Sequence, residues 1–258
     1  MPELPDYAVL AREHWTESNA KYTDGRAREA WAQQEIAWGV FKNREADLGV
    51  LPDLRGLEVI ELGCGTAYFG AWLKKRGAKR VVGVDITPAQ LDTARRMNEE
   101  FGLGLELLEA SAEDVPLPDA TFDLAFSEYG ASIWCDPYKW IPEAARLLRG
   151  GGELVFMATT DLQMVCSADE EKISEGLVRP LRGMHRLDWT SGGDISSEFH
   201  ISTSEMFQLL RRTGFEVLDY RQLYAPDDAV DHHFYNFVPA EWAKKWPSEE
   251  IWRARKRG

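Results

Sequence analysis

Apolar positions along the chain change their period near Leu57. Before it, Trp31, Ile36, Val40 and Phe41, with Ala27, Ala30, Ala37 and Trp38 around them, approximate one helical face. That spacing predicts helices over residues 1–50. Leu48–Leu57 reads as a connector punctuated by Pro52 and Gly56. From Leu57 onward, short apolar runs alternate with amphipathic stretches. Glu58–Leu62, Arg80–Val84, Leu105–Leu108, Phe122–Phe126 and Glu153–Ala158 predict strands. Between them Tyr68–Arg76, Pro88–Phe101 and Tyr138–Leu148 predict helices. Pro88 suits a first helical turn with Thr87 as its cap, and Gly150, Gly151 and Gly152 end the third helix. Farther on, Ser204–Thr213 reads as a helix stopped by Gly214. Phe215–Tyr224 and His233–Val238 read as strands forming an antiparallel edge. Ala240–Arg257 reads as a helix interrupted at Pro247, with a solvated basic end at Arg253–Arg257. Strands separated by helices imply right-handed crossovers, hence an α/β fold with a seven-stranded, mostly parallel sheet covered on both faces.

Composition narrows what such a fold can serve. At 258 residues, one large domain or two small ones are expected, and the alternating pattern favours one. Lys and Arg number 30 against 43 Asp and Glu, a net charge of −13. A chain this acidic is a poor phosphate-backbone binder and has no electrostatic grip on anionic lipid, so neither nucleic acid nor membrane is an expected partner. The N-terminal MPELPDYAVLAREHW lacks a basic segment followed by an apolar one, and no run of ~18 apolar residues appears, so a cytoplasmic protein is expected. Cys64, Cys135 and Cys166 are odd in number and form no CxxC pair. His232 and His233 would point to opposite faces of a strand, and no HxxxH or HExxH is present, so no metal site is expected. The ten tryptophans fit either core anchors or an indole-rich substrate pocket.

The sharpest chemical feature is Glu61-Leu62-Gly63-Cys64-Gly65-Thr66-Ala67, placed after the first strand and before a helix. Glycines there allow a tight turn and close approach of a ligand to backbone. Asp85 follows Gly65 by twenty positions and closes the second strand, where a carboxylate accepts hydrogen bonds from ribose hydroxyls. Two ligand classes fit. A dinucleotide wants a third glycine at position 68, where Tyr68 stands. The other class is S-adenosylmethionine (SAM). Residues 106–123 carry six acids and no base, which a cationic sulfonium tolerates better than a dinucleotide does.

In order along the chain, ELGCGTAY (61–68), VGVDITPAQLDTAR (82–95), SAEDVPLPDATFD (111–123) and AARLLRGGGELV (144–155) carry a more specific signal. With these segments the chain resembles a Rossmann-like class I SAM-dependent methyltransferase. It is similar to the small-molecule type that includes the ubiquinone and menaquinone C-methyltransferases. The resemblance spans roughly residues 57–158, and it implies roles residue by residue. Gly63 and Gly65 would pass under the methionine and ribose of the cofactor, with Glu61 holding the loop or the methionine amine. Asp85 would bind the ribose hydroxyls, Ile86 would pack on adenine, and Ala112 would present its N–H to the adenine edge. The family commonly has Asp where this chain has Ser111, so either Ser111 or Glu113 is expected to meet the adenine amino group. Ser127 joins the expected cofactor contacts. S-adenosylhomocysteine (SAH) would be the product.

Ligand crevices in open α/β sheets lie beyond the C-terminal strand ends. Ser127-Glu128-Tyr129-Gly130 follow the fourth parallel strand, so Glu128 and Tyr129 are expected beside the acceptor, where either could orient it or take its proton. Trp134 is expected to wall the pocket, with Trp140 and Ile141 in the core. His200 is a further acid–base candidate, and a merely satisfied histidine is the competing reading. Residues 159–203, with Pro180, Gly183, Gly192 and Gly193, are expected to fold over an apolar or aromatic acceptor, while Tyr22 and Trp38 of the N-terminal lid close the other side. The expected activity is in-line methyl transfer to a small molecule. A nicotinamide oxidoreductase and a noncatalytic SAM-fold protein are the alternatives.

Overall fold

The computed structural model describes residues 4–169, 172–190 and 195–258. Gly192 and Gly193 lie outside the described residues. The chain opens with helix α1 (Asp6–Ser18), a π-helical turn over Asn19–Thr23 and α2 (Asp24–Ala32). A small hairpin of β1 (Ala37–Trp38) and β2 (Asn43–Arg44) leads into the short α3 (Glu45–Leu48). The expected helical face through Phe41 is therefore corrected: the helix stops at Ala32, and Ile36–Phe41 enters the hairpin. Its apolar residues are buried by tertiary packing rather than by a helical stripe.

The alternating part follows as β3 (Glu58–Leu62), α4 (Tyr68–Lys75), β4 (Arg80–Asp85), α5 (Pro88–Phe101), β5 (Glu106–Glu109) and β6 (Phe122–Glu128). Then come α6 (Ala131–Trp134), α7 (Pro137–Leu147) and β7 (Leu148–Thr159). Gly150–Gly152 fall inside β7 rather than merely ending α7, and the register between β6 and β7 shifts beside them, between Phe122 and Leu124. Beyond lie α8 (Asp161–Cys166), a hairpin of β8 (Arg186–Trp189) and β9 (Ser196–Phe199), and α9 (Thr203–Arg212). A capping box of Ser202 and Glu205 starts α9. The chain finishes with β10 (Phe215–Leu223), α10 (Ala240–Ala243) and β11 (Glu249–Lys256).

The main sheet has seven strands in the order β10-β11-β7-β6-β3-β4-β5. The five from β7 to β5 run parallel, and β11 is antiparallel to both its neighbours. This is the expected fold class with a different C-terminal end. The stretch expected as a long helix supplies the strand next to the edge strand β10, and His233–Val238 forms no strand. His232 Nδ1 instead accepts the N–H groups of Phe234 and Tyr235. Tertiary pairing overrides the helix-favouring composition of Glu249–Lys256. The basic residues expected on a solvated helix end lie on the sheet, where Arg253 Nε and Arg255 Nη2 donate to Glu153 of β7 at 2.7 and 3.0 Å.

Side-chain alternation sorts the core into two layers. Val59, Leu124, Phe126, Val155, Met157 and Ile251 face α2 and α4. Ile60, Leu62, Ala125, Phe156 and Trp252 face α7 and α9. The same alternation puts Glu249 and Glu250 on opposite faces of β11. Glu250 is buried in the second layer, accepting from Tyr220 Oη and Trp252 Nε1, both at 2.8 Å. Burial pushes its carboxyl up to about 7, from an unfolded-chain value of 4.5. Across that window the folded chain binds more protons than the unfolded chain, so this group's contribution to stability falls as pH rises and levels off above about 7. Glu250→Gln should flatten the fall by about 1.4 kcal/mol per pH unit, the full weight of one proton. Urea unfolding from pH 5 to 8 would read this, and an unchanged slope would contradict a buried protonated carboxyl.

Candidate active site

The turn after β3 brings the expected cofactor residues together. Gly63, Gly65 and Ala67 all lie at positive φ, +75°, +52° and +57°. The N–H groups of Gly63 and Cys64 both donate to Val84 O, which ties the turn to the end of β4. From the other side, Trp31 Nε1 donates to Thr66 O at 2.8 Å. Glu61 is buried, and its Oε2 accepts from Gly70 N at 2.9 Å, so its carboxylate braces the start of α4. Burial, opposed by that bond, pushes its carboxyl well above the usual range.

Asp85 sits at the tip of β4. Its Oδ2 accepts from Gly65 N and its Oδ1 from Thr87 N, each at 2.8 Å. Thr87 starts α5 without a side-chain cap, so the expected Thr87 cap is replaced by the Asp85 carboxylate acting on Thr87's own N–H. Burial raises the Asp85 carboxyl against the lowering of these bonds. A carboxylate held this way by backbone N–H groups is the kind of acceptor that ribose hydroxyls need. Above the turn, a Cβ placed on Gly65 would meet only Gln90 Oε1, at 3.7 Å, so the glycine leaves a cradle there. The donor and acceptor set fits SAM.

The remaining expected contacts divide. Ile86 packs with Tyr7, Ala8 and Phe199. Ser111 Oγ accepts from Glu113 N, and Ala112 is buried beside them. Glu113 is engaged by α1: its Oε2 accepts from Tyr7 Oη and its Oε1 from Asp136 N, both at 2.7 Å. Ser127 is fully buried and donates to Leu62 O at 2.8 Å, so it joins β6 to β3 instead of opening to the crevice. Trp38 is corrected outright as a pocket wall. It is 0% exposed, packs on Phe69 and Phe126, and spends its indole N–H on Glu45. Trp134 packs between His14 and Trp15 of α1. His200 is buried in the β9 turn with Glu198 at 2.9 Å as its side-chain partner, tied into the hairpin rather than to Glu128 or Tyr129.

At the end of β6, Glu128 accepts from Tyr68 Oη at 3.0 Å and from Gly39 N at 3.2 Å. Tyr129, at a φ of +50°, donates to Glu249 Oε1 at 2.9 Å. Tyr22 stacks on Phe234 and meets Tyr235 Oη at 3.0 Å. Glu249 and Tyr235 escaped sequence reasoning because both lay in stretches assigned to the wrong element. An antiparallel last strand would have flagged Glu249, since such a strand begins where the parallel ones end.

Fold and turn together define a class I SAM-dependent methyltransferase, and the chain is one. The nicotinamide alternative gives way with it. Residues 60–156 match the family model described as a methyltransferase domain. The chain is 22% identical over 249 residues to a ubiquinone biosynthesis O-methyltransferase of Roseobacter denitrificans, covering 96% of this chain and 91% of that protein. It is 37% identical over 118 residues to a demethylmenaquinone methyltransferase of Thermus thermophilus, covering 45% and 53%. In fold it is similar to a SAM-dependent methyltransferase of Mesorhizobium loti, with a TM-score of 0.66 and 22% identity over 82% of this chain and 96% of that one.

Two turns meet at the centre of this site. A Cβ on Gly63 would lie 2.6 Å from Ala131 N and 2.7 Å from Gly130 Cα, and one on Gly130 would overlap Gly63 O. These neighbours are backbone and cannot swing aside. Gly130→Ala should therefore cost stability by more than the ~1 kcal/mol typical of a point mutant and abolish SAH binding. Thermal unfolding and calorimetry check both, and a stable variant with native SAH affinity would contradict the contact.

Proposed function

We propose that this chain transfers the methyl group of SAM to a small-molecule acceptor held at the C-terminal ends of β6, β7 and the start of β11. The observation that carries this is Asp85 bonded to Gly65 N, which sets a two-oxygen acceptor against a glycine turn with open space above it. The relatives named for ubiquinone biosynthesis and for demethylmenaquinone support an acceptor of small size. When bound, SAM supplies a methyl group on a positively charged sulfur. The chain's part is to hold the ribose at Asp85, pass the glycine turn beneath the cofactor, and align an acceptor from the Glu128–Tyr129 side. Ser111 is the partner for the adenine amino group, because Glu113 is already committed to Tyr7 and Asp136. Asp85→Ala should weaken SAM binding by ~1.5–3 kcal/mol for each hydrogen bond lost to the charged group. Titration calorimetry on the folded variant measures this, and unchanged affinity would remove Asp85 from the site.

The lid is narrower than the N-terminal 50 residues. Trp31 and Trp38 are wholly buried and belong to the body of the fold. The lid we assign is α1 with the β8–β9 hairpin, joined by Tyr7 edge-on to Phe199 at 4.9 Å and by Arg186 with Asp6 at 2.9 Å. Both lie over Ile86 at the adenine side. SAH should slow hydrogen exchange in residues 6–18 and 186–199 and leave 27–38 unchanged. Equal exchange with and without SAH in the first two segments would sink the lid.

A further inference from the structure

Methyl transfer to a small molecule leaves the chemistry of the acceptor open, and two carboxylates at the strand ends narrow it. Glu128 ends β6 and Glu249 begins β11, two positions above Ile251, which pairs with Met157, which in turn pairs with Glu128. The tip of the β1–β2 hairpin reaches across both. Gly39 N donates to Glu128 Oε1, and the next amide, Val40 N, donates to Glu249 Oε1 at 2.7 Å. A Cβ on Gly39 would overlap the Glu249 carboxylate and Met157 Cε, so only glycine lets the hairpin approach this closely.

Each carboxylate also takes one phenol, Glu128 from Tyr68 and Glu249 from Tyr129. The distribution is uneven. Glu128 uses both oxygens, whereas Glu249 receives both bonds on Oε1. Its Oε2 is buried with no partner, in a residue 1% exposed. No lysine, arginine or histidine among the described residues offsets either group, and Glu128 destabilises the charge on Glu249 further. Burying an unpaired carboxylate is costly, so desolvation pushes the Glu249 carboxyl up to about 7, and the cost is relieved by a proton or by a cation. Around the pair, Tyr68 and Tyr235 both feel the Glu128 charge, and Tyr22 and Phe234 extend the aromatic wall. Aromatic faces beside carboxylates suit an ammonium group. A phenol or a carboxylate would bring no charge to balance the pair.

We propose that Glu128 and Glu249 form the recognition site for the ammonium group of an amine acceptor, and that Oε2 of Glu249 takes one of its protons. This rests on the methyl-transfer reading. The N–H bond breaks and an O–H bond forms on Glu249, leaving a lone pair on nitrogen. That pair forms the N–C bond to the methyl group as the C–S bond breaks, its electrons staying on sulfur. The proton leaves Glu249 for solvent when the crevice opens.

The test is calorimetric titration of the SAH-saturated full chain, at neutral pH, with phenethylamine, 2-phenylethanol and 3-phenylpropionate, which share an aromatic body and differ in charge. The amine should bind about tenfold or more tighter than the alcohol, and the carboxylate should bind weakest. Glu249→Gln should shrink the preference for the amine to about twofold while SAH affinity stays as in the unmodified chain. An amine that binds no better than the alcohol, or a preference that survives Glu249→Gln, overturns the proposal. Should that variant misfold, the three probes on the unmodified chain decide alone. Failure of the cofactor reading shows separately, as an absence of SAH binding when SAH is titrated into the chain before the probes, and failure of methyl transfer as an absence of SAH formed from SAM with any acceptor.

Discussion

The approach of Gly63 to Gly130 is the constraint on which the rest of the site depends. Strands β3 and β6 are neighbours, yet their connections leave the sheet in opposite directions, to β4 on one side and β7 on the other. At such a switch point two strand-to-helix turns splay apart and open a crevice. Here the turns touch through backbone, with Ser127 Oγ reaching Leu62 O to hold them. Any side chain at either glycine would push the turns apart and move Asp85 relative to the loop it is bonded to. Holding this point fixed also explains the non-glycine residues at positive φ nearby, Ala67 and Tyr129. Each starts or precedes the segment that must leave the crevice sharply. Their conformational cost of order 1–3 kcal/mol is carried by the surrounding packing.

Charge follows from that geometry. Glu61, Asp85, Glu128 and Glu249 come from four different strands and converge because all four strands present that end to the crevice. Desolvation is the first cause raising each carboxyl above its ordinary range. The backbone N–H groups of Gly39, Val40, Gly65, Gly70 and Thr87 oppose it. Amides supply partial positive charge without filling the space a lysine or arginine would occupy. The strand ends thus carry acidic groups without a basic side chain beside them, a field suited to a cationic sulfonium.

How much of this could be read from the sequence depended on how local the cause was. Glu58–Leu62 and Arg80–Asp85 are apolar runs bounded by turn residues, and their ends emerged nearly as expected. Gly63, Gly65 and Asp85 were legible because their chemistry is set within one strand–turn–helix unit and its successor. Glu249–Lys256 was not. Its residues favour helix, and the reasons it is a strand are Glu153, Phe156 and Tyr220, up to a hundred positions away. Misassigning that strand hid Glu249, the half of the acidic pair that carries the unpartnered oxygen. Trp38 misled for the opposite reason: an indole near the expected crevice is as readily core as wall, and only Glu45 and Phe69 decide.

The N-terminal segment does two jobs that the pattern of its residues does not separate. Trp31 grips the carbonyl of Thr66, and the hairpin tip at Gly39 grips Glu128, so α2 and the hairpin hold the site's floor. Helix α1 instead meets the site through side-chain tips: Tyr7 on Glu113, Lys139 on Tyr7, Arg186 on Asp6. Behind them Tyr7 and Ala8 are buried with Phe199 against Ile86, so α1 is also packed onto the fold. The π-helical turn at Asn19–Thr23 joins the two parts. The turn, Asp85 and Glu128 are held instead by backbone N–H groups and a buried indole, independently of these contacts. Glu128 and Glu249 are likewise fixed by adjacent amides of the hairpin, an arrangement that keeps the entropy of ordering them out of any binding step.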